Sequence, residues 1–349
     1  MTRQTWAITA MALLATSPLF AADTVTRKSD GKKVSGSISA VSKDEISVKR
    51  AVGDPDKVAA NDVAAIEWDN GGPELRLAYS DEAGGRYDVA ITRYTKAKET
   101  VKSPSDFLKA ELDYALARTS AKQAISEGDM AKLTKAAQAL QAVQKSNPDH
   151  FRYYDSLNVL GQVQLAAGDF AAARATYDSV AKAPWNEYKM LSRIAHGRIF
   201  VAENKLDEAA KEFEAAAAAA TDAPEDQARK YEAMLAGARA LVTQSKFEES
   251  LKILETVTDK GPAEEASLQA EAYVLMGNSL QALGRMKEAS LAYLHVDILF
   301  PKEAALHAEA LYNLTKTWQQ VQLPDRSAEA EQKLVQNYPN SIWRKKLAK

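Results

Sequence analysis

Residues 273–301 read YVLMGNSLQALGRMKEASLAYLHVDILFP. Two glycines, Gly277 and Gly284, with Arg285 behind the second, raise the question of a loop that cradles phosphate. Such a loop needs a strand before its glycine-rich turn and a lysine followed by a hydroxyl residue after it. Gly277 sits inside a helical pattern and Arg285 is followed by Met286, so both requirements fail. The stretch instead describes two antiparallel helices. Gly277 and Ala289 are small where the helices cross, because a larger side chain there would push them apart. Tyr293 and Leu280 fill the space beside the crossing. Gly284 suits the end of the first helix, where a left-handed residue is needed. Pro301 ends the second helix, which proline cannot continue.

The same pattern recurs at intervals of just under or around forty residues, over roughly residues 75–340. One unit carries Leu160-Gly161, Gly168, Phe170, Ala173 and Tyr177, and the next carries Gly197, Phe200, Leu206, Ala209 and Phe213. A third carries Met234, Ala238, Phe247, Ser250, Leu254 and Pro262. Six or seven units can be aligned, the ones at residues 124–148 and 311–339 loosely. Bulky and small residues in a first helix, then Ala-x3-aromatic in a second and a closing proline, resemble tetratricopeptide repeats. The spacing exceeds that family's ideal of thirty-four, so linkers or helices are somewhat longer here. The resemblance implies an α-solenoid of six to seven helix pairs, each pair burying its apolar face on the next.

It also implies a concave groove lined by the first helices, which takes peptides or extended segments. Placed on that pattern, the polar groove residues are Asn158, Gln162, Arg198, Arg239, Asn278 and Lys316. Ile194, Leu235, Val274 and Tyr312 are their apolar neighbours on the same face. A basic, amide-rich floor with apolar flanks suits an extended peptide, since amides bond its backbone and arginines take a carboxylate. The lysine and asparagine set that marks chaperone-tail clamps in this family is not visible.

Residues 23–72 have a different period. Val34, Gly36 and Ile38 alternate with Ser35, Ser37 and Ser39, and Ile46 and Val48 alternate with Ser47 and Lys49. Turn residues break the pattern at Ser29-Asp30-Gly31, Lys43-Asp44 and Gly53-Asp54-Pro55. Short period-two segments between such turns predict a small antiparallel, barrel-like β module. The order of features resembles SH3-like or Sm-like barrels in pattern only. After Gly72-Pro73 the helical period holds to the end, so residues 73–349 are assigned to the solenoid.

Before the β module, Arg3 precedes the apolar run Trp6 to Leu14 and the small-residue exit Ser17-Pro18-Leu19-Phe20-Ala21-Ala22. That order reads as a secretory signal peptide over residues 1–22. An exported chain is therefore expected, with the periplasm as its compartment and no transmembrane segment after cleavage. The chain has no cysteine, so packing rather than disulfides must hold it.

Chemistry is sparse. The four histidines, His150, His196, His295 and His307, include no pair at one-turn helical spacing, so no metal site is expected. No Gly-x-Ser-x-Gly elbow is present. A formal net charge of -2 gives no footprint for nucleic acid. The reading that follows is a scaffold without enzymatic activity or cofactor, binding protein or peptide partners in cell-envelope organisation or assembly. Two alternatives stay open. One is an enzyme or accessory subunit of cell-wall metabolism. The other is a homo-oligomer built through edge strands or end-to-end stacking of repeats.

Overall fold

A computed structural model describes residues 22–347. Residues 1–21, nearly all of the expected signal peptide, lie outside the described residues. Five strands and fifteen α-helices occur among the described residues. The chain divides into two compact units: residues up to 112 with 149–151, and residues 113–148 with 152 onward.

The first unit begins with β1 (Asp23–Arg27), β2 (Lys33–Val41), β3 (Glu45–Lys49), β4 (Asp56–Ala59) and β5 (Val63–Glu67). They form one antiparallel sheet in the order β4-β3-β2-β1-β5, with β4 and β5 at its edges. Period-two alternation puts Val25, Ile38, Ile46, Val48, Val58 and Ile66 in the core and leaves Ser35, Ser37 and Lys49 outside. Gly36 is needed where β3 comes close: a Cβ there would strike the Lys49 backbone. Asp62 ties two turns together, accepting from Arg27 Nε at 2.7 Å and from the Ser29 amide at 2.8 Å.

The period change at Gly72-Pro73 is where the first helix starts, while the compact unit continues past it. Helices α1 (Gly72–Ala83) and α2 (Tyr87–Thr100) pack on each other through Ala78, Ala90 and Tyr94. The Tyr94 hydroxyl donates to buried Glu82 at 2.8 Å. Helix α3 (Asp106–Glu127) belongs to this unit as far as Leu112.

The second unit continues with α4 (Met130–Ser146), α5 (Tyr153–Ala166), α6 (Phe170–Val180), α7 (Asn186–Ala202), α8 (Leu206–Ala218), α9 (Pro224–Thr243) and α10 (Phe247–Lys260). Then come α11 (Ala266–Ala282), α12 (Met286–Leu299), α13 (Ala304–Gln320), α14 (Pro324–Asn337) and the short α15 (Ile342–Leu347). Consecutive helices pair, and each pair stacks on the next, as in a tetratricopeptide-like α-solenoid. The first helices α7, α9, α11 and α13 also touch one another in turn.

One device sets the approach within several pairs. Gly161 faces the Tyr177 ring, Gly197 the Phe213 ring and Gly277 the Tyr293 ring, each so closely that a Cβ would overlap the ring. Ala238 occupies the same place in α9, and there the facing residue is the smaller Leu254. The sum of the two volumes is what the crossing fixes.

The turn inside each pair is just as regular. Gly168, Asn204, Ser245, Gly284 and Gln322 all take left-handed φ, between 59° and 76°. In each turn the amide of the following residue closes on a carbonyl five residues back, as Arg285 does on Leu280 at 2.9 Å and Lys246 on Leu241 at 2.9 Å. The expected role of Gly168 and Gly284 is therefore seen, and three non-glycine residues share it. Helices α10, α12 and α14 stop two residues short of Pro262, Pro301 and Pro339.

Near the end of the second unit, buried His307 of α13 lies 2.9 Å from Asp297 of α12 and 2.7 Å from the Tyr338 hydroxyl. Lys333 of α14 reaches the other Asp297 oxygen at 2.8 Å. Burial pushes the Asp297 carboxyl up, but His307 and Lys333 outweigh it and hold the group below the usual carboxylate range. His307 and Asp297 are closed off from solvent, so the network pins three helices rather than presenting a reactive group.

Candidate functional site

The first helices carry a repeating polar position immediately after the small crossing residue. It is Gln162 in α5, Arg198 in α7, Arg239 in α9, Asn278 in α11 and Lys316 in α13. Five of the six residues expected to line the groove are thus one structural position, and Asn158 lies one turn before Gln162. Arg198, Arg239, Gln162 and Lys316 are exposed, and Asn158 and Asn278 are half-buried.

What the sequence reading missed are the carboxylates. Glu232, Glu271 and Glu309 stand two helical turns before Arg239, Asn278 and Lys316, on the same face. Each meets the polar residue of the preceding first helix. Arg198 donates to Glu232 at 2.8 Å, Arg239 pairs with Glu271, and Asn278 Nδ2 lies 3.4 Å from Glu309. A ladder runs along the inner layer from α7 to α13. Its signal in the sequence is an acid two turns ahead of the polar position, on the same helical stripe.

The first two rungs border a cavity of about 540 Å³. Arg198 and Val201 come from α7, Phe213 from α8, and Arg229, Glu232, Leu235, Ala236 and Arg239 from α9. Leu268 and Glu271 of α11 close the far side. Arg198 and Arg239, expected as groove residues, are therefore brought to one cavity, whereas Asn158, Gln162, Asn278 and Lys316 are not among its walls. Of the apolar neighbours expected on this face, Leu235 lines the cavity, but Ile194 and Val274 are core residues at 0% and 2% exposure. They point across to the second helices because they lie on the buried stripe of their own helix.

The floor is also less basic than the arginines alone suggest. Arg198, Arg229 and Arg239 face Glu232, Glu265 and Glu271, three cations against three anions. Burial pushes the Glu232 carboxyl up, but Arg229 at 2.6 Å and Arg198 outweigh it and hold the group below the usual range. Burial lowers the Arg239 guanidinium, helped by Arg198 and opposed by Glu309. The three rungs thus sit within one another's fields. A partly apolar cavity with paired, orientable charges can accept a chain whose polar groups exchange with these pairs.

Asn278 has a different role from the arginines. Its Oδ1 accepts from the Tyr293 hydroxyl at 2.7 Å and from Asn313 Nδ2 at 3.4 Å, which turns its own Nδ2 toward Glu309. Lys316 lies over the Tyr312 ring at 4.5 Å. Gln162 donates to Asn158 Oδ1 at 3.4 Å. Among the described residues, no three His, Asp or Glu side chains come together in a way that could hold a metal ion.

Residues 121–188 match the tetratricopeptide repeat family. No curated protein sequence matches the chain. Among solved structures, the apo form of RapI is similar at a TM-score of 0.53 and 12% identity, covering 77% of this chain and 76% of that one. A signal-transduction ATPase with a tetratricopeptide repeat sensor, from Pyrococcus horikoshii, is similar at a TM-score of 0.55 and 13% identity. That likeness covers 79% of this chain and 43% of the ATPase. At such identities the likeness concerns the fold, and it agrees with the stacked helix pairs described above.

Proposed function

We propose that this chain is an exported scaffold without enzymatic activity, which holds an extended segment of a partner protein on the inner face of its solenoid. The observation that carries the reading is the cavity of about 540 Å³ at the junction of α7, α9 and α11, with apolar walls and paired charges. It lies on the layer where first helices meet, and that layer offers exchangeable side-chain donors and acceptors along its length. The tetratricopeptide fold supports the same reading, since stacked pairs create extended concave surfaces. The signal-peptide pattern of residues 1–22 supports a place in the cell envelope, in organisation or assembly. No helix among the described residues is long and apolar enough to cross a membrane.

The test is a pull-down from envelope extract, comparing wild type with the Arg198→Glu, Arg239→Glu double variant. Both substitutions place a carboxylate against the one already there, at Glu232 and Glu271. Partners captured by the wild type should be lost or weakened at least about tenfold. An unchanged partner set with unchanged affinity removes the groove assignment. Fractionation of cells expressing the full chain tests export, which an uncleaved cytoplasmic product would refute.

A further inference from the structure

The ladder has a defect at its third rung. Glu232 meets two guanidiniums, from Arg198 and Arg229, and Glu271 meets one, from Arg239. The third carboxylate, Glu309, meets only the neutral Asn278 amide, at a long 3.4 Å. It forms no ion pair among the described residues. Asn278 cannot improve on this, because Tyr293 and Asn313 fix its orientation. The nearest cations are engaged elsewhere: Arg239 with Glu271, and Lys346 on the Trp343 ring at 4.0 Å. Burial pushes the Glu309 carboxyl up, while Asn278, Arg239 and Lys346 only partly oppose it. A half-buried carboxylate is thus left without the guanidinium that the two preceding repeats supply.

We infer that Glu309, on the inner stripe of α13, is a subsite for a lysine or arginine side chain of the segment bound along the groove. This rests on the groove reading above and adds a charge requirement to it. A guanidinium or ammonium arriving from the ligand would take the place that Arg198 and Arg239 take at their own rungs, and complete the ladder. An acidic or neutral residue at that point of the ligand would leave the carboxylate uncompensated. The first two rungs supply their own cations, so they impose no such requirement.

The experiment is selection of a phage-displayed random dodecapeptide library on four proteins carrying the full chain: wild type, Glu309→Gln, Asn278→Arg and the Arg198→Glu, Arg239→Glu double variant. The second substitution supplies the missing guanidinium internally. Wild type should enrich peptides with a basic residue at one fixed position, and both single variants should enrich peptides without it. Replacing that residue by glutamine in an enriched synthetic peptide should weaken binding to wild type about fivefold, and leave binding to Glu309→Gln unchanged. Enrichment by wild type with no basic position, or a basic preference that survives Glu309→Gln, overturns the subsite while the groove reading stands. No enrichment by wild type, or enrichment indifferent to Arg198→Glu with Arg239→Glu, overturns the groove reading and the subsite with it.

Discussion

In α9–α10 the crossing residue is Ala238 and the side chain opposite it is Leu254; in α11–α12 the same two places hold Gly277 and Tyr293. The polar position next to the crossing is Arg239 in the first pair and Asn278 in the second. The turn residue is Ser245 in the first and Gly284 in the second. These neighbouring pairs share a backbone frame, yet four positions are filled by different chemistry. The difference separates what the frame requires from what it leaves free. It requires a fixed combined volume at the crossing and a left-handed residue at the turn. It leaves the polar residue after the crossing open, and that residue decides whether the next carboxylate is neutralised.

A substitution does most damage at the crossing. Gly277→Ala forces a Cβ into the Tyr293 ring, whose hydroxyl is already held by Asn278. Overpacking of this kind should cost about 2–3 kcal/mol, read as a lower midpoint in urea unfolding. Adding Tyr293→Leu makes the pair resemble Ala238 with Leu254, and should recover part of the loss. If the double variant is no more stable than Gly277→Ala alone, the reciprocal-volume account fails.

The ladder offers a smaller effect with opposite signs at its two ends. Glu232 is held below the usual carboxylate range, so its ionised form favours the fold. That contribution is present above the ordinary carboxyl pKa and is lost as pH falls through the lower folded value. Glu232→Gln should therefore cost about 1–2 kcal/mol at pH 7 and progressively less toward pH 3. Glu309 is pushed up by burial, so its protonated form favours the fold. Its stabilising contribution is complete below the ordinary carboxyl pKa and is lost as pH rises through the raised value. Glu309→Gln should gain on wild type by up to about 1 kcal/mol between pH 4 and pH 7. Unfolding midpoints at pH 3, 4, 5.5 and 7 compare the two variants. Slopes of the same sign would show that the third rung is not the exception described here.

How far each of these features was legible follows from the distance over which it is encoded. The helix pairs were readable because Gly277, Tyr293, Gly284 and Pro301 all lie within one repeat, at spacings set by helical geometry. The polar position beside each crossing was readable for the same reason. The ladder was not, because Arg198 with Glu232 and Arg239 with Glu271 join different repeats, more than thirty residues apart. Only stacking brings those faces together, and a single arginine in a polar stripe looks like any solvated cation. Ile194 and Val274 were misplaced on the groove because apolar residues belong to either edge of the inner stripe, and only the packed partner tells which. The turns at Ser245 and Gln322 were missed because neither serine nor glutamine marks a left-handed position as glycine or asparagine does.

Ser245 takes φ 60° and Gln322 takes φ 62°, where an L side chain crowds the following carbonyl. Both are exposed, so nothing packed against their side chains compensates. The strain of a left-handed non-glycine residue is about 1–2 kcal/mol. Glycine relieves it, but loses more freedom on folding, by about 0.5–1 kcal/mol. Ser245→Gly should therefore stabilise the chain by about 0.5 kcal/mol, since the Lys246 amide bond to Leu241 that closes the turn does not involve the side chain. Asn204, at φ 59°, is the internal control. Asparagine tolerates this region far better than serine, so Asn204→Gly should be close to neutral. Paired urea unfolding of the two variants measures the difference directly. A loss of stability in Ser245→Gly would mean that the turn of α9–α10 is held by its serine, and not merely adapted to it.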